Sequence, residues 1–158
     1  MSSTDLFKWS DDYSINIEEV DEQHKELLCL IRELHVAILE NQGKAGLREI
    51  LNRLTQSTRT HFLLEESLMR LSHYPGLDIH KLQHRDLMAE GQALQQQLDN
   101  KNKTIDFELL KYLNKWLLQH ISESDMLFSV HFQQAGLLQY AASGKQIAPT
   151  KKKWWKFW

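Results

Sequence analysis

An all-α fold, an up-down-up-down four-helix bundle with an N-terminal arm and a basic-aromatic C-terminal tail, is predicted by three observations. Four long stretches place apolar side chains at three- and four-residue steps, the stripe of an amphipathic helix. Glycine and proline are scarce, 6 and 2 in 158 residues, too few for the turns of a β-sandwich. The polar segments between the periodic stretches are short, which makes consecutive helices antiparallel neighbours.

Residues 1–17 lack a sustained helical period and read as an arm, with Phe7, Trp9, Tyr13, Ile15 and Ile17 as packing residues. The first helix is expected over about 18–40. His24, Leu27, Leu28, Ile31, Leu34 and Ile38 form its stripe, and Glu18, Glu19 and Asp21 stand in its first turn, where the helix dipole favours anions. Asn41-Gln42-Gly43 is a stop signal. The second helix spans about 45–71, with Leu47, Ile50, Leu54, His61, Leu64, Glu65, Leu68 and Met69 in line, and ends before Tyr74-Pro75-Gly76. The third covers about 77–98 and aligns His80, His84, Leu87, Met88, Gly91 and Leu94. The fourth starts after the polar run 99–103, with Thr104 as N-cap, and reaches about residue 131. Its inward set is Phe107, Leu110, Leu113, Trp116, Leu117, His120 and Leu127. The bundle is therefore assigned to residues 18–132, with 133–158 as a C-terminal extension.

Composition narrows the function. Lys plus Arg is 19 against 21 Asp plus Glu, a net charge of −2, with no basic face to suggest nucleic acid as a partner. The N-terminus has no basic region followed by an apolar run, and no segment approaches the ~20 apolar residues of a membrane span. A cytoplasmic protein is expected, peripheral at the cytoplasmic membrane if the tail attaches it. The one cysteine, Cys29, allows no intramolecular disulfide, and is expected to be a small buried hydrophobe.

The polar members of the inward stripes are histidines and carboxylates: His24 on the first helix, His61 and Glu65 on the second, His80 and His84 on the third, His120 and Asp125 on the fourth. Residues four apart share a helix face, so His61 with Glu65, and His80 with His84, can each chelate from a rigid backbone. His120 and Asp125 are five apart, about 140° around a regular helix. Either the aspartate reaches round, or the helix is locally widened there. Burying five imidazoles and two carboxylates unpaired would cost ~1–3 kcal/mol per group, a cost that a pair of metal ions removes. The absence of thiolates excludes iron–sulfur clusters. Seven ligands exceed a four-coordinate zinc site, and two carboxylates can bridge two metals. The Glu-x-x-His pairs of ferritin-like di-iron bundles are missing. An imidazole-rich, carboxylate-poor set supplies little negative charge to stabilise high-valent iron, which favours reversible ligand binding over oxidation of substrates.

Several motifs carry a family resemblance. Trp9-Ser10-Asp11 with Asp21-Glu22-Gln23-His24, the run His61-Phe62-Leu63-Leu64-Glu65-Glu66-Ser67-Leu68-Met69, Tyr74-Pro75 followed by His80-x-x-x-His84, and Trp116-Leu117-x-x-His120-Ile121-x-x-x-Asp125 resemble the hemerythrin family, in particular its single-domain bacterial members. The likeness covers about residues 9–132. It implies two iron ions (Fe2+/Fe3+) with an oxo or hydroxo bridge and O2 as ligand. His80, His84 and His120 would hold one iron, His24 and His61 the other, and Glu65 and Asp125 would bridge them. The two-histidine iron would keep one position open for O2. Leu27, Phe62, Trp116 and Leu117 are the candidates for a dry pocket over it. His35, His73 and His131 match no ligand motif and are expected to pack or face solvent, and Glu66 is expected to be solvated, with support of a ligand from behind as the alternative.

The implied role is reversible O2 binding for carriage, storage or delivery to an oxygen-consuming enzyme. Alternatives are O2 or redox sensing, which calls for an output domain, and iron storage or donation, which calls for ready release. No general base or substrate cleft is legible, so catalysis is not expected. The tail, Lys151, Lys152, Lys153, Trp154, Trp155, Lys156, Phe157 and Trp158, interleaves cations with aromatics. Without its four lysines the chain has 15 basic against 21 acidic residues, a net of −6. Such a tail suits contact with an anionic membrane surface or a membrane-bound oxygen-consuming enzyme.

Overall fold

The computed structural model describes residues 7–100, 105 and 107–136. The tail over 151–158 and the Thr104 cap lie outside the described residues. A short 3-10 turn, Asp11–Tyr13, precedes helices α1 (Glu18–Leu39), α2 (Gly43–Leu71), α3 (Leu77–Asp99) and α4 (Phe107–His120). A π-helical turn, Ile121–Asp125, joins α4 to α5 (Met126–Gln134). Helix α1 packs against α2 and α4, and α2 against α3 and α5. α1 to α4 form the four-helix bundle, and α5 carries the fourth helix on beyond the π-turn.

The connections are built from residues that tolerate left-handed backbone. Asn41 (φ 52°) and Gly43 (φ 77°) turn α1 into α2, and His73 (φ 53°) ends α2. At Gly76, before α3, a Cβ would come within 2.7 Å of the Tyr74 ring, so only glycine lets that tyrosine fold back. There Tyr74 meets Phe128 and His131.

The arm is pinned by Asp21, which is buried in the first turn of α1. Its carboxylate accepts hydrogen bonds from the Ser14 hydroxyl at 2.6 Å and the Ile15 amide at 2.9 Å. Phe7, Ile15 and Ile17 join the core. The buried Ser129 hydroxyl of α5 donates to the Ile15 carbonyl, and the His131 imidazole donates to the Ser72 carbonyl at 2.8 Å. His35 is buried between Phe7 and Phe107.

Two expectations are corrected. Leu127, expected inward from the helical period, is 65% exposed, and Phe128, Ser129 and Phe132 are buried instead. The π-turn holds an extra residue, so every position after it is rotated relative to a continuous α-helix. Cys29 is exposed, not buried. Its neighbours Leu27, Leu28, Leu30 and Ile31 fill the inward face of α1, and its sulfur accepts from the Arg32 guanidinium at 3.7 Å.

Candidate metal centre

The bundle brings all seven predicted ligand residues to one depth. Among the described residues two groups form, each with possible ligand atoms within 4.8 Å of one another: Glu65, His80, His84, His120 and Asp125, and His24, His61, Glu65 and Asp125. Both carboxylates belong to both groups, so the arrangement is two adjoining positions, one with three imidazoles and one with two. Asp125 reaches the centre through the π-turn, whose wider winding closes most of the 140° gap and leaves Asp125 Oδ1 3.1 Å from His120 Nε2.

The unpaired atoms test whether a metal pair fits. All five Nε2 atoms and all four carboxylate oxygens are buried without a hydrogen-bond partner. The nitrogens lie 3.1–4.0 Å from those oxygens, yet they are aligned on a common interior and not on one another. Native structures leave only a few such groups per 100 residues, whereas nine lone-pair donors gathered at one point from four sides suit two bound cations. Imidazole nitrogen and carboxylate oxygen are ligands for iron-type ions.

The electrostatics of the cluster agree. Burial pushes the His61 imidazole down to about 4, although Glu65 pulls the other way. Burial and the facing Asp125 would raise Glu65, but His61, His80 and His84 hold its carboxyl down at about 2. Asp125 is held well below the usual carboxylate range, the effect of burial being outweighed by His120, His24 and His80. At neutral pH both carboxylates are thus ionised and His61 is neutral, the states that bind metal. His80 runs the other way. Against burial, Asp125 and Glu65 raise it to about 9, so an incoming cation must displace its proton.

Around the predicted ligands stands a shell that the sequence only partly indicates. His84 Nδ1 lies 3.2 Å from Glu66 Oε1, and the same carboxylate bonds Arg70, so Glu66 is not a free surface group. His61 Nδ1 lies 3.1 Å from Gln23 Oε1. Trp9 of the arm stacks over His24. Gln23 and Glu66 each adjoin a ligand in sequence, which is the one signal that could have marked them.

The four pocket candidates divide. Leu27 and Leu117 line a cavity of about 50 Å³, which Thr58 and Leu87 also line. Each of these residues stands one turn from a predicted ligand: Leu27 from His24, Thr58 from His61, Leu87 from His84 and Leu117 from His120. In antiparallel helices those steps all lead to the same side of the ligand layer. The cavity is therefore the next layer of the bundle, walled mainly by leucine and large enough for a small apolar molecule. Phe62 and Trp116 do not line it. Phe62 stacks flat on His84 with centroids 3.6 Å apart, and Trp116 stacks on His120 at 5.0 Å. Phe62 also faces an open cleft of about 590 Å³ between α2 and α3.

Comparison with known proteins agrees with this geometry. The family model for the hemerythrin HHE cation-binding domain matches residues 16–129. The chain is 30% identical over 151 residues to a bacteriohemerythrin of Stenotrophomonas maltophilia, covering 94% of this chain and 97% of that protein. It is 28% identical over 149 residues to a bacteriohemerythrin of Pseudomonas aeruginosa, covering 92% and 95%. A solved wild-type hemerythrin shares the fold, with a TM-score of 0.73 at 22% identity over 79% of this chain and 96% of that one.

Proposed function

The chain belongs to the hemerythrin family, and from that premise we propose that it binds O2 reversibly at a non-haem di-iron centre and serves as an oxygen carrier, store or deliverer without catalysing a reaction. The observation that carries the proposal is the pair of adjoining ligand groups with unequal numbers of imidazoles and both carboxylates shared. When bound, the two irons together supply the electrons that hold O2. His80, His84 and His120 would hold one ion; His24 and His61, with fewer imidazoles beside the shared carboxylates, would hold the other and leave room for a diatomic ligand. The protein's part is to hold the donors rigidly from four helices and to keep water away. Leucine walls offer water no hydrogen bonds, and a dry site slows the loss of reduced oxygen species. Metal analysis of protein produced with ample iron and zinc tests the assignment. Two irons per chain are expected; a single zinc with no iron contradicts it.

No helix among the described residues is long and apolar enough to cross a membrane. For the tail, the support is sequence alone: four lysines and four aromatics in residues 151–158 on a chain otherwise at −6. An acidic body is repelled by anionic lipid, so any affinity must come from the tail. Its electrostatic part is screened by salt and its aromatic part is not. Partial sedimentation with anionic vesicles is expected, reduced but not abolished at high salt, with little binding to neutral vesicles. Deleting 151–158 should remove the binding and leave the iron content unchanged. Full-length protein that ignores anionic vesicles at low salt points to a protein partner instead.

A further inference from the structure

We propose that Glu66 and Gln23 are positioning residues that make the two metal positions unequal in how firmly they hold iron, the three-histidine position being the firmer; this rests on the di-iron reading above. The two residues are placed alike. Glu66 follows the shared ligand Glu65 on α2 and backs His84 on α3. Gln23 precedes the ligand His24 on α1 and backs His61 on α2. In each case the imidazole aims Nε2 into the centre and Nδ1 at a side-chain oxygen, 3.2 Å to Glu66 Oε1 and 3.1 Å to Gln23 Oε1. With Nε2 given to a metal, Nδ1 must carry the proton and donate it. The acceptor behind His84 is an anionic carboxylate and the one behind His61 is a neutral amide.

A charge-assisted hydrogen bond is roughly twice as strong as a neutral one, and it makes the opposite ring nitrogen a better electron donor. The Glu66 side chain is only 14% exposed and is oriented by Arg70 Nη2 at 3.2 Å, so its charge stays in place behind the ring. His84 therefore binds its metal more strongly than its distance alone implies, whereas His61 receives no such support. The stronger ligation falls on the position that already has three imidazoles. The weaker falls on the one that has two, so the position left open to O2 is also the one that gives up iron first.

The test is release of Fe2+ from the iron-loaded, fully reduced full-length protein into excess ferrous chelator under nitrogen, followed by chelate absorbance. The parent should show two phases of one iron each. Glu66→Gln keeps the hydrogen bond but removes the charge, and should quicken the slow phase on the order of tenfold while sparing the fast one, the usual scale for partners of metal-bound histidine. Gln23→Glu should slow the fast phase by a similar factor and spare the slow one. A slow phase unchanged in Glu66→Gln overturns the proposal, as does any variant in which both phases move together. Should Glu66→Gln fail to fold by circular dichroism, an unmoved fast phase in Gln23→Glu overturns it alone. A parent chain that holds fewer than two irons overturns the di-iron reading itself, whereas two irons with unaltered phases overturn only this assignment.

Discussion

An alanine in place of Glu65 is expected to lower the iron content from two ions per chain to one or none while leaving the helical content near that of the parent. Glu65 is one of only two residues common to both ligand groups, so its loss removes a ligand from each position at once. No histidine has that reach. Loss of the ions also leaves without a partner the imidazoles that face Glu65: His61 at 3.3 Å, His80 at 3.6 Å and His84 at 3.2 Å. Each buried group left unpaired costs ~1–3 kcal/mol, which lowers stability without dissolving the bundle. The apolar stripes that join α1 to α4 are untouched. Iron per chain by elemental analysis, with helicity by circular dichroism, checks this. Retention of two irons in the alanine variant refutes the shared-ligand assignment.

The second large effect belongs to Leu117. It walls the cavity together with Leu27 and is buried one turn before His120. Truncation to alanine enlarges a cavity that already holds about 50 Å³ and admits water beside the centre. Leu→Ala in a core costs ~2–5 kcal/mol of stability, so the melting temperature should fall. The oxygenated form should decay faster, on the order of tenfold, which corresponds to only about 1.4 kcal/mol on the barrier. Iron content should stay fixed, because Leu117 is not a ligand. The decay of the visible band in air measures the rate. An unchanged rate places the pocket elsewhere, and the same substitution at Trp116, which stacks on His120 outside the cavity, is the control.

Much of this was legible in the residues. A three- and four-residue period shows which face of a helix is buried, and a histidine or carboxylate on that face must find a partner. Four such stripes therefore located both the bundle and its seven polar members. The five-residue gap from His120 to Asp125 contradicted a regular helix, and the π-turn is the resolution. The same turn explains the failure at Leu127: a period counted through it continues at the α-helical angle, whereas the chain there winds more widely. Cys29 failed for another reason. Cysteine is apolar enough to be assigned inward by type, but helical position decides, and Leu27, Leu28, Leu30 and Ile31 already occupy that face. Gln23 and Glu66 adjoin predicted ligands in sequence, but which imidazole each one backs was not legible, because their partners sit on other helices 38 and 18 residues away. Asp21 is similar. Its position suits a helix N-terminus, and only the folded arm shows that its carboxylate holds Ser14 and Ile15.

The visible spectrum through a cycle of reduction, oxygenation and deoxygenation tests reversible O2 binding most directly. Protein reduced under nitrogen should be almost colourless, gain a visible band when O2 is admitted, and lose it when O2 is removed, with two irons per chain throughout. A band that forms but does not disappear, or iron-loaded protein whose spectrum ignores O2, contradicts the function proposed for this bundle.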